Sequence, residues 1–194
     1  KGLPSAPGAR YQTPYRSHLD HSMFFNDRKY QTPQDITRRC LECHASAGEG
    51  LKHSAHWTWL SEKILNPRTQ QIVEVGKKNL MNNYCIATTS NEKGCTKCHA
   101  GYGWMDRNFD FSKTENMDCL ICHETSGLYV KAAGGLPEKG TDLVKVAQSV
   151  SYPRRENCGT CHFSGGGGMG VKHGDLDGAL LNPSAQVDVH MGKF

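Results

Sequence analysis

Apolar positions along this chain come in short clusters rather than long periodic runs, and no stretch alternates apolar and polar residues for long enough to predict a sheet strand. The clearest helix signal is "TPQDITRRCLECH" at 32–44, where Thr32 stands as N-cap, Pro33 at the first helical position and Asp35 in the first turn. Further short helices are predicted around "LKHSAHWTWLSEKIL" (51–65), around 119–123, and over "TDLVKVAQSVS" (141–151) behind Thr141. Residues 1–17 hold three prolines and little periodicity, which predicts an extended arm, and the glycine-rich "SGGGGMGVKHG" (164–174) predicts a loop. The pattern is that of a mainly α chain with long loops and little β structure.

The cysteines change this picture. Eight of the nine fall in one repeated unit, C-x-x-C-H: Cys40, Cys43 and His44; Cys95, Cys98 and His99; Cys119, Cys122 and His123; Cys158, Cys161 and His162. Paired thiols alone serve zinc ribbons, redox disulfides and iron–sulfur clusters equally well. The trailing histidine decides between them. With 10 His in 194 residues, four out of four by accident is on the order of one in a hundred thousand. Zinc and disulfide chemistry give no reason for that placement. Haem c does, because two thiols bond to the porphyrin and the next residue puts imidazole on the iron. Four covalently attached haem c groups follow, and much of the core of a single 1–194 domain is then porphyrin around which short helices and loops close. The motifs are spaced by 55, 24 and 39 residues, which argues against a fixed-period solenoid.

The formal charge of +4 is weak evidence for a nucleic-acid partner, since haem propionates cancel it and the Lys and Arg residues form no stripe. No apolar run reaches the 18 or so residues of a membrane span. The chain begins at Lys1 without Met, as expected of a mature exported protein, and covalent haem attachment in bacteria is extracytoplasmic; a periplasmic or extracellular location is the expectation.

Each iron needs a sixth ligand. Six histidines remain for that role: His18, His21, His53, His56, His173 and His190. The pairs 18/21 and 53/56 have the i, i+3 spacing of one helix face, so two neighbours cannot sit trans on one iron. Methionine could substitute, but it raises the reduction potential where paired histidines keep it low. The glycine run at 165–168 lacks the G-K-[ST] and preceding strand of a phosphate loop, and "DLDG" (175–178) lacks the closing Glu of a calcium loop. Cys85 stands outside the motifs and reads as a buried inert thiol.

These stretches together resemble the N-terminal half of the octahaem tetrathionate reductases, within the multihaem group that includes hydroxylamine oxidoreductase. The resemblance rests on "DHSMFF" (20–25), "TPQDITRRCLECH" (32–44), "HWTW" (56–59), "NNYCIA" (82–87), "GCTKCHAGYGW" (94–104), "DCLICHETSGLYVK" (118–131) and "NCGTCHFSGGGGMGVKHGDLD" (157–177). That family carries eight haems and this chain has motifs for four. Either the chain is the N-terminal part of a longer polypeptide or it is a tetrahaem relative that completes its electron path in another subunit.

The resemblance implies distal ligands drawn chiefly from His21, His56, His173 and His190. It also implies a catalytic second haem whose distal ligand is a lysine, for which Lys131 is the candidate and Lys145 and Lys172 the rivals. The activity implied is reduction of tetrathionate, a small oxyanion, or of small nitrogen oxides, with redox proteins or further haem-bearing subunits as partners. The competing expectation is a non-catalytic electron conduit with every haem bis-histidine, in which the chain forms a homo-oligomer or an extracellular filament.

Overall fold

The computed structural model describes residues 19–26, 30–83 and 86–193. The expected arm at 1–17, His18 and Cys85 lie outside the described residues.

Helix α1 (Pro33–Lys52) begins as the sequence predicts. The Thr32 side chain accepts from the Asp35 backbone N–H, the Asp35 carboxylate accepts from the Thr32 N–H at 2.8 Å, and Pro33 needs no donor in the first turn. The helix carries the first motif and kinks at its histidine, His44, whose φ of −114° and ψ of 38° leave the helical region.

The expected helix over 51–65 is only partly formed. Helix α2 is one turn, Ala55–Thr58, closed by Trp59 in the left-handed region at φ 55°. The chain then turns out into a small antiparallel hairpin of β1 (Ile64–Leu65) and β2 (Ile72–Val73), with Ile64 opposite Val73. Ser61 N–H bonding to the Val75 carbonyl at 2.8 Å closes its base, and Pro67 sits in its connection, where a helix could not continue.

The remaining helices are short: α3 (Glu92–Cys95), α4 (Leu120–His123), α5 (Leu143–Gln148), α6 (Arg155–His162) and α7 (Val189–Lys193). α5 is capped by Asp142, whose side chain accepts from Lys145 N–H, one residue later than Thr141. The glycine-rich 164–174 stretch is turn and bend with no helix or strand.

Side chains close one modest apolar cluster, in which Phe25, Ile36, Leu120, Val146 and Ala147 pack with Tyr102 and Tyr129. α1 is pinned to it by buried Thr37, whose hydroxyl donates to the Met117 carbonyl at 2.6 Å. A buried carbonyl left unpaired costs about 1–3 kcal/mol, so this one bond fixes how α1 lies against the chain leading into the third motif. The architecture is mainly α with long loops, held around its motifs.

Candidate functional site

Each C-x-x-C unit lies on a single helical turn: the first inside α1, the second across α3 and the 3-10 turn Thr96–Cys98, the third at Cys119 and α4, the fourth at the end of α6. Cysteines three apart on one turn face the same way, which lets both bond to one flat group. The fold also brings thiols of different motifs together. Cys98 is hydrogen-bonded to Cys161, and Cys40 to Cys119. In each pair one thiol is stabilised as thiolate and the other held protonated: Cys98 and Cys40 shift down, Cys161 and Cys119 shift up.

Two motif histidines face a second imidazole. His21 and His44 have ring centroids 6.3 Å apart, and His56 and His162 have centroids 6.0 Å apart with planes at 89°. Imidazoles on opposite sides of one metal ion, with metal–nitrogen bonds of about 2 Å each, have centroids separated by about 6 Å. Backbone carbonyls hold one ring nitrogen of three of the histidines. His21 Nδ1 bonds to the Leu19 carbonyl at 2.8 Å, His162 Nδ1 to Gly174 O at 2.5 Å and His123 Nδ1 to Ser151 O at 2.9 Å. A carbonyl on Nδ1 places the proton there and leaves the Nε2 lone pair to a metal.

His56 and His162 also line a cavity of about 490 Å³. Its walls include Trp59, Leu60, Val75 and Ile121, and Cys98, Cys122, Cys158 and Cys161 open onto it. A mostly apolar cavity lined by four motif thiols and by the imidazoles of His56 and His162 suits a porphyrin.

His99 is enclosed differently. It is fully buried among Trp57, Trp59, Trp104, Phe109 and Phe111, with Trp57 stacked on it at 5.1 Å. Nε2 pairs with the Trp57 carbonyl at 2.7 Å, and Nδ1 is buried with no hydrogen-bond partner. Burial pulls its pKa down to about 3, so the ring is neutral and the orphaned nitrogen carries a lone pair. The carbonyl here lies on Nε2, the reverse of His123 and His162.

No family model matches the chain. An uncharacterised protein of Archaeoglobus fulgidus is 24% identical to it over 224 residues, covering 89% of this chain and 74% of that protein. The crystal structure of an octahaem cytochrome c from Shewanella oneidensis superposes with a TM-score of 0.75 at 44% identity, covering 91% of this chain. The chain has a multihaem cytochrome c fold. It spans 39% of the length of that octahaem relative.

Within this fold the sequence-predicted residues separate into groups. His21 and His56 stand opposite His44 and His162. His53 and His56 do not share a helix face, because α1 ends at His53 and Ser54 starts α2. His173 lines the cavity and pairs through Nε2 with the Met81 carbonyl at 2.6 Å, while His190 is exposed on α7; neither stacks on a motif histidine among the described residues. Lys145 is exposed on α5.

Lys131 is 2% exposed. Its ammonium donates to the His99 carbonyl at 2.5 Å and the Gly101 carbonyl at 3.1 Å, and pairs with Asp118 Oδ2 at 2.7 Å. Asp118, the residue before the third motif, is also buried; it accepts from the hydroxyls of Tyr102 at 2.9 Å and Tyr129 at 3.0 Å and from Ile121 N–H. Burial and the neighbouring Asp118 charge push both tyrosines well above the ordinary phenol range, so they stay donors. The three acceptors fix the Lys131 Nζ beside the second motif. Asp118, Tyr102, Tyr129 and the aromatic shell of His99 were missed in the sequence; an aspartate directly before a C-x-x-C-H unit and the density of Trp and Phe over 57–111 were the available signals.

Proposed function

We propose that this chain is an electron-carrying tetrahaem module, related to the octahaem tetrathionate reductases, that works in the periplasm or outside the cell and exchanges electrons with redox proteins or further haem-bearing segments. The observation that carries this reading is the pair of facing imidazoles, His21 with His44 and His56 with His162, at the spacing of two ligands on one metal. Iron held at the four motifs supplies one-electron chemistry, alternating between ferric and ferrous.

The chain's own residues do the rest. Carbonyl groups on Nδ1 of His21, His123 and His162 fix the plane of each ring and keep the other nitrogen basic. The aromatic shell keeps water from His99. The contacts of Cys40 with Cys119 and of Cys98 with Cys161 set attachment points of separate motifs side by side, which supports short transfer distances within the module. Paired histidine ligands favour low reduction potentials, whereas a dry, apolar surround works the other way by disfavouring the charged ferric state.

Reduction of tetrathionate or small nitrogen oxides at the second motif is the alternative, and buried Lys131 beside the His99 carbonyl is the observation in its favour. Such a role requires Lys131 to leave Asp118 and lose its proton, since only a neutral amine binds iron. A spectroscopic count of low-spin and high-spin haems, repeated with tetrathionate, nitrite and hydroxylamine, separates the two. Four low-spin haems that ignore all three compounds support the conduit; a haem whose spectrum changes selects the reductase. A chain that carries no haem when matured in a competent host overturns both.

A further inference from the structure

The cavity beside α2 and α6 carries more positive charge than its own carboxylates offset. Lys172, whose side chain is 8% exposed, directs Nζ to Cys98 Sγ at 2.9 Å. Its acidic neighbour Asp175 holds Oδ1 at 4.0 Å, the outer limit of an ion pair and without a hydrogen bond, while Oδ2 accepts from the backbone N–H groups of Val171 and Lys172. Lys77 lines the same wall, its ammonium 4.9 Å from the centre of the Trp59 ring, and no carboxylate comes within ion-pair range of it among the described residues. Loss of solvent, and then the charge of Lys172, disfavour its protonated form. Two cations on one cavity, Lys172 almost wholly buried, are costly unless negative charge appears near them.

Resting on the reading that the second and fourth motifs hold haem, we propose that Lys77 and Lys172 raise the reduction potentials of the haems attached through Cys98 and Cys161, so that electrons entering the module settle on that pair. Reduction of a ferric centre adds one negative charge. At an effective dielectric of about 20, an ammonium about 12 Å from such a centre would favour that step about tenfold. The two motifs meet at the Cys98–Cys161 contact, so the same cations act on both centres.

The test is a redox titration of the holoprotein followed by visible absorption, with haem counted by intact mass and pyridine haemochrome. Lys77→Gln and Lys172→Gln are each expected to lower the potential of at least one haem by about 59 mV, the equivalent of a tenfold change for one electron. Lys77→Arg and Lys172→Arg should reproduce the wild-type curve, and Asp175→Asn should move it the opposite way from the glutamine variants. Should Lys172→Gln fail to mature, Lys77→Gln decides alone. Glutamine variants with the full haem count and unchanged potentials overturn the inference. A wild-type protein without haem at the second and fourth motifs overturns instead the reading on which it rests.

Discussion

Lys131 and Asp118 form an ion pair in which both side chains are almost wholly buried, Nζ to Oδ2 at 2.7 Å, and it ties the backbone that follows the second motif to the residue that opens the third. Isolated buried charges are costly, and this pair persists because each oxygen of Asp118 and each proton of Lys131 has a partner. It holds the second and third C-x-x-C-H motifs in one orientation.

Removing one partner should therefore cost far more than removing both. Asp118→Ala is expected to destabilise the fold by about 3–5 kcal/mol, leaving Lys131 charged and unpaired. Asp118→Leu combined with Lys131→Met should recover much of that loss. Denaturant unfolding of the holoprotein measures both, and an additive double variant would contradict the coupling.

Lys131→His separates conduit from reductase. On the reductase reading it abolishes tetrathionate reduction and leaves electron transfer through the other haems. On the conduit reading steady-state electron flow is unchanged once stability is matched. Stopped-flow oxidation with tetrathionate, alongside a spin-state count, reads the difference.

His21→Ala and His56→Ala should each convert one haem from low to high spin, and the two affected haems should differ: the one on His44 in the first variant, the one on His162 in the second. His53→Ala, at the end of α1 and exposed, should be silent. Electron paramagnetic resonance counts the converted centres.

The cap of α1 makes a pH-dependent contribution. Bonds from the backbone and side chain of Thr32, with Arg38 beside them, hold the Asp35 carboxyl down at about 2 against 3.8 for the free group. Because the folded value is depressed, the stabilisation is present above pH 3.8 and is lost as pH falls through about 2. Thr32→Ala should cost about 1 kcal/mol at neutral pH. The difference from wild type should shrink in acid, as followed by thermal melts across that window.

Gly135 sits at a φ of 73°, and a side chain there would bring Cβ to 2.4 Å from the Gly101 carbonyl that receives Lys131. Gly135→Ala combines left-handed strain with a backbone clash and should destabilise by about 1–3 kcal/mol. A wild-type melting curve for this variant would show that the loop rearranges freely.

The sequence by itself determined the chemistry and the local frame. The two Cys and the His of each unit lie within five residues, so the four C-x-x-C-H units are legible without any tertiary contact. The start of α1 is legible for the same reason, since Thr32, Pro33 and Asp35 act on one another across a single turn. What lies beyond that range was decided by the tertiary structure. His56 meets His162 across 106 residues, and the helix breaks between His56 and its neighbour His53. The predicted helix over 51–65 gave way to a turn and a hairpin once Trp59 took a left-handed conformation and closed over His99. Lys131, which the family resemblance singled out as an iron ligand, found its counter-ion thirteen residues back in Asp118. Periodicity and spacing report on neighbours within a few turns; which distant imidazole, carboxylate or ring comes to lie opposite depends on how short helices and loops pack, and no local pattern encodes that.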